Sequence, residues 1–108
     1  KKGKFNKQQI LPAAMIEDIM KGGSAETFKK SVYGKSLKNW SYRDMWWITH
    51  NEHGAFAARG VHGQTISIDP TAEMVLFRFA SHPEAKNSKI DPSSLPAYHA
   101  VAKYLMSE

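Results

Sequence analysis

The sequence predicts an α+β fold, an antiparallel sheet of three or four strands packed by helices. Three observations carry this reading. Apolar residues recur at helical spacing near the start of the chain. The middle is aromatic, β-branched and alternating, and short turns separate its segments. A last segment again carries apolar residues on one helical face.

Each element has its own signal. Pro12 suits the first turn of a helix, where its missing N–H costs nothing. Leu11, Met15, Ile16 and Ile19 then form one face, with Glu17 and Asp18 on the solvent side, and Gly22-Gly23 ends the helix. Ser24 is placed to cap a second short helix, with Glu26 in its first turn, Phe28 as apolar anchor and Lys29 and Lys30 at its end. Met45–Thr49 reads as a strand, and Asn51-Glu52-His53-Gly54 as the turn after it. Ala55–Val61 and Thr65–Ile68 read as two further strands. Asp69-Pro70-Thr71-Ala72 reads as a turn, and Met74–Phe79 as the last strand. Ser81–Ser94 is expected to be a polar loop. Pro96 is expected to open a final helix with Tyr98, Val101, Ala102 and Leu105 on one face.

A chain of 108 residues makes one domain at most, here a single segment, 1–108. It has no cysteine, which excludes a disulfide framework, a thiolate nucleophile and a cysteine zinc site. No apolar run approaches the ~20 residues of a membrane span, so no membrane partner is expected. Of the net charge of +5, Lys1, Lys2, Lys4 and Lys7 supply four. Residues 1–9 read as a basic, flexible start on a near-neutral body, not as the clustered patch that nucleic acid needs. The basic start precedes no apolar leader core, which suggests a cytoplasmic chain, and the first residue is lysine, which suggests a processed or truncated one.

The chemistry-bearing residues form no complete catalytic set. Gly-x-Ser-x-Gly, Ser-x-x-Lys and the phosphate-loop pattern are all absent. His50 and His53 flank Glu52, with His62 nearby, but in a turn they are expected to make ordinary hydrogen bonds, and no metal or organic cofactor is expected. Consecutive Trp46 and Trp47 must point to opposite faces of a strand. Trp46 is expected in the core and Trp47 in a pocket or against a partner. Gly60 and Gly63, three apart, interrupt a strand pair. They mark either a hairpin bend at His62-Gly63 or a strand edge whose free N–H groups face a substrate.

Tyr42–Thr49, Ala58–Gln64, Ile68-Asp69-Pro70 and Arg78–Pro83, in that order, resemble the C-terminal part of the class C β-lactamase-like serine hydrolases. Within that family the resemblance is to the 6-aminohexanoate-dimer hydrolase branch, and it covers nearly the whole chain. It implies the C-terminal part of a β-lactamase/transpeptidase-like fold and an acyl-transfer chemistry on a small amide or ester substrate. The family's nucleophile lies in a Ser-x-x-Lys motif, so the N-terminal part of the parent hydrolase is an implied partner, and the chain by itself is expected to be inactive and to self-associate. The family's Lys-Thr-Gly aligns with Ala58-Arg59-Gly60, where only the glycine matches. The missing lysine speaks against a β-lactam carboxylate and for an amidase or esterase. By the same resemblance Val61 gives its backbone N–H to the oxyanion hole, and Gly60, His62, Gly63 and Trp47 line the substrate pocket. The rival reading is a stand-alone α+β binding module for nucleic acid or protein.

Overall fold

The computed structural model describes residues 1–108. The basic start forms a small hairpin, β1 (Lys4–Phe5) with β2 (Gln8–Gln9), turned by Asn6 and Lys7 in the left-handed region. Helix α1 (Ala13–Lys21) follows Pro12 as its cap residue. It ends at Gly22, whose φ of 74° favours glycine, and a Cβ there would meet Ser41 Oγ at 2.4 Å. Helix α2 (Ala25–Lys29) starts as expected, with Ser24 Oγ accepting the Thr27 N–H at 3.1 Å. Five strands then form an antiparallel meander in chain order: β3 (Ser41–Arg43), β4 (Trp46–Ile48), β5 (Phe56–Arg59), β6 (Thr65–Asp69) and β7 (Met74–Arg78). Helix α3 (Asp91–Ser107) closes the fold.

The class is the one expected, and the sheet is larger by a strand. The extra strand, β3, pairs with β4 across a two-residue turn at Asp44-Met45, with φ of 49° and 70°. Two positive φ values define the hairpin turn that matches strand twist. Neither residue is glycine, so the turn gave no composition signal. Helix α3 begins at Asp91, five residues before the expected start at Pro96. Pro92 lies in its first turn, where a missing N–H is harmless. Pro96 lies inside, where it leaves the Pro92 carbonyl without its helical partner. The buried face of α3 is also shifted. Asp91 and Ala102 are buried and Tyr98 half-buried, whereas Val101 and Leu105 are exposed.

Strand alternation divides the sheet into two faces. Ile48, Phe56 and Ile68 pair across β4, β5 and β6 on one face. Ile19 of α1 packs there, with Trp46 edge-on to Phe56 at 5.1 Å between ring centroids. Trp46 is thus a core residue. Asp18 of α1 grips Arg43 of β3 through two hydrogen bonds of 2.8 Å each, so it is not on the solvent side as its helix position alone implied. The Arg43 guanidinium is held in its charged form by that pairing. The opposite face, carrying Trp47, Ala57 and Arg59, is covered by α2 and α3.

Cover is incomplete at the far strands. Ile66, Val75, Phe77 and Phe79 lie on or after β6 and β7 and are 36%, 53%, 62% and 90% exposed, and β7 is an edge strand. Apolar patches and free strand edges both drive association. Sedimentation over a concentration series is expected to show self-association, and Phe77→Lys is expected to reduce it. A compact monomer at all concentrations would contradict this. In the core, Ile48 is 2% exposed, and Ile48→Ala is expected to cost about 2–5 kcal/mol in a urea titration.

Candidate active site

The cleft that holds the candidate residues begins with strand pairing. β4 pairs with only the first half of β5, Trp47 opposite Ala57 and Ile48 opposite Phe56. Ala58 and Arg59 therefore run on past β4 without a strand neighbour on that side. On the other side β6 continues the ladder to Arg59 opposite Thr65, and the Gly60 N–H donates to Gln64 O at 2.9 Å. The connection from Gly60 to Gln64 is a tight bend that includes one turn of 3-10 helix at Val61–Gly63. The structure thus has a hairpin bend at His62-Gly63 and, beside it, an unpaired edge at the end of an otherwise interior strand.

Gly60, Val61 and Trp47 share the wall of a cavity of about 330 Å³, completed by Tyr33, Asn87 and Asp91 among others. The amides around Val61 are engaged. Gly60 is bonded to Gln64, the His62 N–H donates to Ala85 O at 3.1 Å, and the Gly63 N–H donates to Asn87 Oδ1 at 3.0 Å. No loop carbonyl and no side chain accepts the Val61 N–H, and Val61 is 61% exposed. His62 and Gly63 lie outside this wall. His62 Nδ1–H donates to His82 O at 2.7 Å, and the His82 N–H returns a bond to His62 O at 3.2 Å. Gly63 is buried with φ of 90°, and a Cβ on it would meet the His82 ring at 2.4 Å. These two residues brace the bend against the Ser81–Asn87 loop. Asn87 Nδ2 adds a bond to Gly60 O at 2.9 Å.

Trp47 is fixed by edge-on contacts with Phe28, Tyr33 and Tyr42 at 6.0, 4.9 and 5.2 Å between centroids. Beneath it lies the group that the sequence reading missed. The Arg59 guanidinium sits 5.4 Å from the Trp47 ring centroid and 5.5 Å from that of Trp40, and pairs with Asp91 at the start of α3. The Arg59 side chain is 7% exposed and that of Asp91 11%. Strand alternation held a partial signal: Arg59 shares a face with Ala57, the cross-strand partner of Trp47. Its acid, 32 residues away, could not be read locally.

The other histidines are placed without any shared site at His50, His53 and His62. His50 Nε2 bonds to the fully buried Ser41 Oγ at 2.7 Å, and His53 Nδ1 to Asp69 Oδ2 at 2.7 Å. Ser41 also accepts the Gly23 N–H at 3.1 Å. Its hydroxyl is closed off from solvent, so the pair braces β3 against the chain after β4, and the Gly23 N–H adds a tie to the end of α1.

The Arg59–Asp91 pair has a measurable consequence. Removing one partner leaves a buried charge uncompensated, so Asp91→Ala is expected to cost about 3–5 kcal/mol. Replacing both, Arg59→Met with Asp91→Leu, is expected to recover most of that loss. Equal losses for the single and double variants in chemical denaturation would mean that the pair acts through packing alone.

No protein-family model matches the chain. It is 29% identical over 76 residues to the 6-aminohexanoate-dimer hydrolase of Paenarthrobacter ureafaciens, covering 70% of this chain and 19% of that protein. Its fold matches a solved Bacillus anthracis chain provisionally named a 6-aminohexanoate-dimer hydrolase, with a TM-score of 0.74 and 34% identity. That match covers 98% of this chain and 26% of the other, so the chain spans about a quarter or less of the length of these relatives. No helix is long and apolar enough to cross a membrane. The motif resemblance, the sequence match and the fold match therefore agree: the chain is similar, in sequence and fold, to a part of proteins that carry the 6-aminohexanoate-dimer hydrolase name.

Proposed function

We propose that this chain is the oxyanion-side segment of a serine hydrolase that cleaves small amides or esters. The observation that carries the reading is the Val61 amide. It stands in the wall of a cleft, beside Gly60 and beneath no side chain acceptor, while the amides on both sides of it are engaged. A tetrahedral intermediate needs fixed donors aimed at the place where negative charge develops. A backbone amide is such a donor when its neighbours are immobile. Here Asn87 grips both sides of the bend, through Gly60 O and the Gly63 N–H, and His62 ties it to His82. Glycine at position 60 lets a substrate carbonyl approach the backbone closely.

In this reading each residue has a limited task. Val61 donates one hydrogen bond to the oxyanion. Gly60 leaves room for the carbonyl, and Trp47 presents an apolar, edge-locked wall to the acyl chain. His62 and Gly63 are positioning residues that aim the Val61 amide. Arg59 faces the Trp47 side of the sheet and is committed to Asp91, so it is not available as a counter-ion for a substrate carboxylate. That favours an uncharged amide or ester over a β-lactam acid. The attacking serine and its lysine, absent from this sequence, come from the rest of the parent hydrolase, and so does the second oxyanion donor.

The test is made in the complete parent enzyme. Val61→Ala keeps the amide and is expected to change kcat little. Val61→Pro deletes the donor and is expected to lower kcat roughly 10²–10³-fold. Thermal melting and active-serine titration control for folding. A folded Val61→Pro enzyme that turns over like the parent would remove Val61 from the mechanism, and an equal drop for both variants would assign the effect to packing. The 108-residue chain alone is expected to hydrolyse neither a chromogenic ester nor a short amide.

A further inference from the structure

The turn between β4 and β5 carries Glu52 and His53, and helix α3 brings His99 against it. Each of the three presents a donor atom, and these atoms lie within 4.8 Å of one another. His53 is buried, and its Nδ1–H donates to the equally buried Asp69 carboxylate at 2.7 Å. With Nδ1 engaged by Asp69, Nε2 is the ring nitrogen of His53 left to meet a ligand. A carboxylate behind an imidazole is the usual outer partner of a metal-binding histidine, holding ring and tautomer.

His99 adds a second observation. Its ring lies 4.6 Å from that of His53, centroid to centroid. Its Nε2 is 3.2 Å from Glu52 Oε1, while its Nδ1 is buried with no hydrogen-bond partner. Buried polar atoms without a partner are uncommon, and a bound ion is one way such an atom is satisfied. Lys103 Nζ, 3.6 Å from Glu52, is the competing cation. Its side chain is 60% exposed and free to turn into solvent.

We propose that Glu52, His53 and His99 form a binding site for one divalent transition-metal ion, zinc by the character of its donors, that clamps α3 to the β4–β5 turn. Two imidazole nitrogens and one carboxylate oxygen, with a fourth position left to water, make an open tetrahedral zinc set. Magnesium and calcium prefer all-oxygen sites and are disfavoured. Closing the three donors to bonds of about 2.0–2.2 Å requires rotation of Glu52 and His99, the two members at the surface. The site shares no residue with the Gly60–Val61 cleft, so it stands or falls independently of the proposed hydrolase role.

The experiment is zinc titration of the chelator-treated chain, followed by calorimetry, thermal melting and ¹⁵N shifts of the histidine rings. One equivalent is expected to bind and raise the melting temperature, with shifts at His53 and His99. Magnesium at millimolar concentration is expected to do nothing. Glu52→Gln and His99→Asn are each expected to weaken zinc about 10-fold or more, with unchanged circular dichroism. Glu52 lies on an exposed turn, so its variant remains readable if His99→Asn unfolds. No saturable zinc binding, shifts confined to His50, His62 or His82, or unchanged affinity in Glu52→Gln would each overturn the proposal.

Discussion

The buried guanidinium of Arg59 ties the end of β5 to Trp40, to Trp47 and to the start of α3. It leaves the end of β5, where the ladder to β4 has stopped, and lies between the rings of Trp40 and Trp47. It ends on Asp91, the first residue of α3. Stacking a cation on two rings contributes about 0.5–2 kcal/mol for each, and the carboxylate offsets the cost of taking the charge out of water. The pair also fixes where α3 begins. A helix started at Pro96 would leave Asp91 in a loop and Arg59 without its acid.

The candidate cleft inherits its shape from that arrangement. Asp91 and Trp47 are both in its wall, so the cation that pins them also sets its width. On the far side the bend from Gly60 to Gln64 is held by polar contacts. Asn87 reaches both Gly60 and Gly63, and His62 and His82 exchange hydrogen bonds. Arg78 extends this bracing by contacting Ser94, Tyr98 and the His82 ring. The same loop thus immobilises the bend and docks on α3. Bracing around one unengaged amide is what an oxyanion donor requires, because a donor that must reorganise during reaction loses much of its advantage.

The second cluster on α3 follows a different physical logic. Its groups meet at the opposite sheet turn and are related by charge. The anions of Asp69 and Glu52 sit against the rings of His53 and His99, with Lys103 at the rim. The helix is therefore tied to the sheet by polar contacts at Asp91 and at His99–Lys103, and Ala102, fully buried, lies within the second of these. With so little apolar burial on α3, charge pairing takes on a role that packing fills in larger domains.

Local sequence determined most of the elements. Ser24 determined its cap, Gly22 the end of α1, Pro70 a turn, and Trp46 and Trp47 their opposite faces, because caps, turns and strand alternation depend on residues a few positions apart. The motif series from Tyr42 to Pro83 was also legible, and with it the resemblance that the sequence and fold matches support. Tertiary structure decided the rest. The Asp44-Met45 turn forms without a glycine because β3 finds its partner in β4. Val101 and Leu105 stay exposed while Asp91 is buried against Arg59, a pairing that periodicity within α3 does not carry. The meeting of Glu52 and His53 with His99, some 46 residues later, depends on how that helix docks. Contacts over such separations are set by the closure of the whole chain, and periodicity within a window of residues carries no record of them.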